Sequence, residues 1–119
     1  MPHALVAGGA GFVGCYLTEL LAKEGWYLTV LDNFTRGQFD HIPDGVLVAN
    51  MDARDVAPKT LRDAGIDVVF DLAARVYGVR DLYNDPGDLL GDNLEITCHL
   101  VRADKAAGVK RYIYISSSC

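Results

Sequence analysis

The sequence predicts an α/β protein built on a doubly wound parallel sheet, and three observations carry that reading. Short apolar runs rich in Val, Leu, Ile and aromatic residues alternate with longer amphipathic runs, the βαβαβ pattern. A turn dense in glycine follows the first apolar run. No repeat, low-complexity run or linker divides the 119 residues, so a single domain is expected. A chain of this size buries roughly two-thirds of its unfolded surface, and a composition 50% hydrophobic and 23% charged, with mean hydropathy +0.13, can supply that core.

Taken in order, the first strand is His3 to Ala7. A helix from Phe12 to Lys23 follows, with Phe12, Val13, Tyr16, Leu17, Leu20 and Leu21 at helical spacing and Gly25 as its stop. The second strand, Tyr27 to Leu31, leads through a loop with Gly37 and Pro43, and a short helical turn, to a third, Val46 to Ala49. The next helix, Asp55 to Ala64, takes Asp55 as N-cap, Pro58 in its first turn and Gly65 as terminator. A fourth strand, Asp67 to Leu72, precedes the longest helix, about Gly87 to Ala107, which ends at Gly108 and sets Leu90, Asn93, Leu94, Thr97 and Val101 on one face. Arg111 to Ile115 is the fifth strand. Buried parallel strands need right-handed crossovers and cover on both faces, so the expected strand order is 3-2-1-4-5 in a three-layer α/β/α sandwich.

Charge and cysteine content narrow the function. Eleven Lys and Arg against sixteen Asp and Glu give a net charge of −5, which supplies no positive field for nucleic acid. Cys15, Cys98 and Cys119 form an odd set without C-x-x-C spacing, so neither a disulfide framework nor a metal site is expected and a reducing, cytoplasmic setting is the default. Cys15 and Cys98 read as packing residues. The longest uncharged stretch, His3 to Thr18, is too short and too glycine-rich to span a membrane, and no Lys or Arg precedes Lys23 to begin a signal peptide.

The chemistry concentrates after the first strand, in Gly8-Gly9-Ala10-Gly11-Phe12-Val13-Gly14. Gly8, Gly11 and Gly14 fit G-x-x-G-x-x-G, while Gly9, Gly11 and Gly14 fit G-x-G-x-x-G. Between a strand and an amphipathic helix, such glycines allow a tight turn, close approach of a pyrophosphate and close helix packing. The helix then aims its unpaired N–H groups, those near Phe12 and Val13 included, at the phosphates. Asp32, eighteen residues past Gly14 with Asn33 beside it, ends the second strand, where a carboxylate accepts hydrogen bonds from the adenosine ribose hydroxyls. A carboxylate there repels a 2′-phosphate, so NAD is favoured over NADP, with Arg36 in the next loop able to offset part of that repulsion.

Four further segments bring the chain into register with a known family. Met51-Asp52-Ala53-Arg54-Asp55 is similar to D-x-R-D, Val69-Phe70-Asp71-Leu72-Ala73-Ala74 to V-F-H-L-A-A, Asn93 to an asparagine on the long helix, and Val109 to Cys119 to a fifth strand running into S-S-x-x-x-Y. Together they resemble the extended short-chain dehydrogenases, the NAD-dependent nucleotide-sugar epimerases and dehydratases, and imply a Rossmann-type fold. The resemblance implies that Asp52 and the backbone of Ala53 meet the adenine, that Leu72, Ala73 and Ala74 let the cofactor approach the sheet, that Asn93 lies near it, and that Ser117 is the catalytic hydroxyl. Asp71 replaces the usual histidine, and Ala7 the common threonine before the first glycine. Ala73-Ala74-Arg75-Val76-Tyr77-Gly78, Asp85-Pro86 and Asp92-Asn93 are similar to the GDP-fucose synthase and GDP-mannose epimerase branch, in which the position of Cys119 carries an acid/base.

The family's Tyr-x-x-x-Lys pair does not occur in these residues, since Glu19, Asp55, Val101 and Ala106 stand four before the four lysines. The chain is therefore expected to be the N-terminal, NAD-binding part of a nucleotide-sugar enzyme, without its substrate domain and without turnover alone. A non-catalytic NAD-binding or sensing module is the alternative, and an adenosyl-methionine binder is disfavoured by Asp52-Ala53-Arg54-Asp55 and the terminal serines. Through the long helix a homodimer is implied, with Glu95, His99 and Arg102 facing the second subunit.

Overall fold

Strand ends, rather than loops, bring the interesting residues together. A computed structural model of the chain describes residues 1–34, 39–73, 84 and 86–115. Its strands are β1 (His3–Ala7), β2 (Tyr27–Asp32), β3 (Leu47–Asn50), β4 (Val68–Asp71) and β5 (Arg111–Tyr114), and its helices are α1 (Phe12–Lys23), α2 (Pro58–Asp63) and α3 (Pro86–Ala107). Short 3-10 turns occupy Phe39–His41 and Ala53–Asp55. All strand pairs are parallel and the order is β3-β2-β1-β4-β5, as the pattern predicts. In register, Ala7 lies beside Leu31 on one side and Asp71 on the other, and Asp32 lies beside Asn50. The residues that leave the strands, Gly8, Asp32, Met51 and Leu72, therefore emerge along one edge of the sheet.

Alternation along β1 splits the core into two layers, as a parallel sheet covered on both faces requires. Leu5 and Ala7 join Leu31, Leu61, Val69, Ile96 and Leu100 on the face covered by α2 and α3. Ala4 and Val6 join Leu21 and Leu28 on the opposite face, with Leu17, Trp26 and Phe70 packed against them.

Three details depart from the sequence reading. Along α1 only Gly14, Thr18 and Leu21 are buried, whereas Phe12, Val13, Tyr16 and Leu20 are exposed, Phe12 at 81%. The close seating of Gly14 against the β1–α1 turn sets the rotation of the helix, and the bulkier residues on either side turn outward. Asp55 is not the cap of α2. Ala57 precedes that helix without a side-chain cap, Pro58 fills its first turn, and Asp52 caps the 3-10 turn instead. On α3 the inward residues are Ile96, Leu100, Ala103 and Asp104, and Leu90, Leu94 and Val101 are exposed. The apolar stripe at Leu90, Leu94 and Val101 has helical spacing but the wrong phase, because Ile96 and Leu100 fill the space above β4.

Candidate cofactor site at the strand ends

The β1–α1 turn is built almost entirely from backbone. Gly8, at φ +79°, donates its N–H to Leu31 O at 2.7 Å, and Gly11 N donates to Gly8 O at 3.1 Å. A methyl group on Gly8 would lie 2.7 Å from Leu72 O, and one on Gly14 only 2.1 Å from Gly8 O. These two glycines are demands of the fold. Gly11 differs. Its φ of −77° and ψ of −178° suit any residue, and an added Cβ would meet a single atom, Gly8 O, at 3.3 Å. Among the described residues nothing else fills the space outside Gly11.

That open space faces the start of α1. Gly11 caps the helix without a side chain, and the first intrahelical donor is Cys15 N, to Gly11 O at 2.9 Å. The N–H groups of Phe12 and Val13 have no acceptor among the described residues, the usual state of a helix's first turn. Thr18 Oγ1 donates to Gly14 O within the helix at 2.7 Å and lies 3.5 Å from Gly9 O of the turn.

Asp32 binds the same turn from β2. Its Oδ2 accepts from Ala10 N at 3.1 Å and its Oδ1 from Phe34 N at 2.8 Å. Each oxygen keeps an acceptor position, enough for two hydroxyl donors. Asn33 is exposed beside it, and Phe34 holds a left-handed φ of 58° where the chain turns away. Arg36 lies outside the described residues.

Asp52 and Ala53 stand one strand further. Asp52 is engaged by Arg54, whose Nε donates to Oδ1 at 3.1 Å, Nη2 to Oδ2 at 2.8 Å and backbone N to Oδ1 at 2.8 Å. The Arg54 side-chain hydrogen bonds hold the Asp52 carboxyl below its ordinary range, against the opposing effect of burial. Ala53 is buried, and its N–H donates to no described acceptor. Leu72 and Ala73 are half-buried at the end of β4, where Leu72 N donates to Ala7 O and Ala73 N to Asp71 Oδ1. Asn93 is half-buried on α3 and engaged within the chain. Gly8, Gly11, Phe12, Val13, Gly14, Asp32, Asn33, Asp52, Ala53, Leu72 and Ala73 thus share the strand-end edge. Ala74, Ser117 and Cys119 lie outside the described residues.

On α3, His99 Nε2 donates to Val56 O at 2.6 Å, and the exposed Glu95 accepts from Arg54 Nη1 at 3.0 Å. Arg102 is exposed. Cys98 is exposed rather than packed, while Cys15 is half-buried and donates to Phe12 O at 3.1 Å.

A second polar group lies under α3 and was not anticipated. Asp71, 1% exposed, accepts from the Tyr112 hydroxyl and is bonded by the Thr97 side chain. Burial pushes its carboxyl above the ordinary range, and burial followed by the Asp71 hydrogen bond pushes the Tyr112 hydroxyl up as well. Asp104, 3% exposed, has no partner for either oxygen among the described residues, and burial with the nearby Asp71 pushes it up to about 7. Asp104 lies one helical turn past the buried Leu100, but a charged side chain gives no sequence signal of burial.

The geometry defines a class, a Rossmann-type α/β chain with a glycine-rich turn beside a strand-end carboxylate. Residues 4–119 match the NAD dependent epimerase/dehydratase family, and the chain belongs to that family. It is 31% identical over 114 residues to a UDP-glucose 4-epimerase of Corynebacterium glutamicum, covering 96% of this chain and 34% of the relative. It is 28% identical to a GDP-mannose 3,5-epimerase of Oryza sativa subsp. japonica, covering 96% and 30%. Among solved structures, UDP-glucose 4-epimerase from Brucella ovis in complex with NAD superposes with a TM-score of 0.89 at 28% identity, over 99% of this chain and 36% of that one. The chain thus spans about a third of the length of these relatives. Both UDP-sugar and GDP-sugar enzymes are similar to it. Among the described residues no helix is long and apolar enough to cross a membrane.

Proposed function

We propose that this chain is the dinucleotide-binding part of an NAD-dependent nucleotide-sugar epimerase or dehydratase, and that by itself it binds NAD without turning a substrate over. The open space outside Gly11 carries the proposal. Backbone conformation gives no reason for glycine there, and packing asks of a side chain only that one carbonyl oxygen give by a few tenths of an ångström. A diphosphate lying on the free Phe12 and Val13 N–H groups supplies a stronger reason, since the dipole of α1 favours negative charge at that end.

In this reading Asp32 accepts from the ribose hydroxyls, with Asn33 beside it, while Asp52 and the Ala53 N–H meet the adenine. Leu72, Ala73 and Ala74 let the cofactor approach the strand end, and Asn93 lies near it. Bound NAD supplies a hydride acceptor for transient oxidation of a sugar carbon. Ser117 would hold the reacting sugar hydroxyl and Cys119 would act as acid/base, but the proton removal that must accompany hydride transfer needs the Tyr-x-x-x-Lys pair that these residues do not contain. A nucleotide-sugar substrate and the domain that holds it would correspond to the two-thirds of the relatives' length that this chain does not span. The exposed Leu90, Leu94 and Val101 on α3 suit a homodimer contact.

Titrating NAD, NADP and S-adenosylmethionine against the purified protein tests the reading. NAD is expected to bind, NADP to bind more weakly because Asp32 repels a 2′-phosphate, and S-adenosylmethionine not to bind. Preferential binding of S-adenosylmethionine would overturn the assignment. Asp32→Ala should weaken NAD by about 1–3 kcal/mol through loss of charge-assisted hydrogen bonds, measured by calorimetry.

A further inference from the structure

Arg54 is the most heavily engaged side chain among the described residues, and an ordinary surface ion pair does not account for its arrangement. Its Nε and Nη2 form a fork on the two oxygens of Asp52, at 3.1 and 2.8 Å, and its backbone N adds a third donor to Oδ1 at 2.8 Å. The remaining nitrogen, Nη1, reaches across to α3, to Glu95 Oε2 at 3.0 Å and Asp92 Oδ1 at 3.4 Å. The guanidinium is thus braced from a second element while it grips the carboxylate. A planar fork fixes orientation where a lysine would supply only a point charge.

The consequence lies in what Arg54 leaves unused. A carboxylate has about four acceptor positions. Oδ1 already accepts two hydrogen bonds and Oδ2 one, so a single position remains, on Oδ2. That position can accept an N–H and repels a carbonyl oxygen. We propose that Arg54 is a positioning residue for base recognition, holding Asp52 so that its one free acceptor position meets the exocyclic amine of a 6-amino purine and rejects a 6-oxo purine. The proposal rests on the dinucleotide reading above and goes beyond it, because it assigns base selectivity to a residue that does not itself touch the base.

The test is titration of NAD and of nicotinamide hypoxanthine dinucleotide, its 6-oxo analogue, against the protein and its Arg54→Met and Arg54→Lys forms. The unaltered protein should prefer NAD by about tenfold or more, the size of effect expected when a charge-assisted hydrogen bond is replaced by a repelling contact. Arg54→Met should cut that preference to about threefold or less by weakening NAD while leaving the 6-oxo analogue nearly unchanged, and Arg54→Lys should fall between. Should Arg54→Met fail to fold, the Lys form carries the test. An unchanged preference in a folded Arg54 variant, or equal loss for both dinucleotides, overturns the assignment of Arg54 alone. A parent protein that binds neither dinucleotide overturns the dinucleotide reading and this proposal with it.

Discussion

Gly11→Val is expected to lower NAD affinity by at least about a hundredfold, close to 3 kcal/mol, while the fold survives. The extended backbone at Gly11 accommodates a β-branched residue, and the added Cβ presses on one carbonyl oxygen at 3.3 Å, which a small adjustment relieves. The side chain then occupies the space in front of the Phe12 and Val13 N–H groups, where the diphosphate is proposed to lie. Gly14→Ala makes the contrast, because its methyl group would stand 2.1 Å from Gly8 O and the helix would have to leave the sheet. That variant should lose stability outright, whatever its ligand. Calorimetry for affinity and thermal unfolding for stability separate the two, and wild-type NAD affinity in Gly11→Val would contradict the proposed position of the diphosphate.

Asp104→Asn should stabilise the protein by about 4 kcal/mol near pH 8 and by almost nothing near pH 3. The acid is buried without a hydrogen-bond partner and beside Asp71, and it is pushed up from the ordinary 3.8 to about 7. Below the ordinary value both folded and unfolded chains hold the proton, so no penalty exists. Between that value and about 7 the unfolded chain ionises first, binds fewer protons than the folded one, and stability falls as pH rises. Above about 7 the full difference between the two states is in place, worth about 4 kcal/mol. Asp71 is raised as well and adds in the same direction, whereas the lowered Asp52, more exposed and screened by water, opposes it weakly. Denaturant unfolding across this range should give a sloping profile for the parent and a flatter one for Asp104→Asn. Parallel profiles would mean that Asp104 finds a partner in solution.

Much of the fold was legible because a parallel sheet makes its own signals. Buried strands read as apolar runs, Gly25, Gly65 and Gly108 adopt the positive φ that ends their helices, and β1 and α1 have the bounds the pattern predicts. The glycine-rich turn and Asp32 were legible for the same reason, since local backbone geometry dictates those residue types. Helix rotation was not legible. In α1 the small residues Gly14 and Thr18 face the sheet because the backbones approach closely there, so the bulky residues point out and hydrophobic spacing misleads. In α3 two apolar phases compete, and only the space above β4 selects Ile96 and Leu100 over Leu90 and Leu94. The role of Arg54 follows from that tertiary choice, which turns Asp92 and Glu95 of α3 toward the Asp52 turn, whereas the burial of Asp104 is hidden by its charge. Capping near Asp55 misled for a simpler reason: Asp52, Asp55 and Pro58 lie within a few residues and offer several local solutions, and Asp52 took the 3-10 turn.

A crystal structure of the protein with NAD is the most direct test of the account. The diphosphate should lie against the Phe12 and Val13 N–H groups, over Gly11, with the adenosine ribose hydroxyls on Asp32. An NAD molecule bound elsewhere, or that corner filled by another part of the protein, would contradict it.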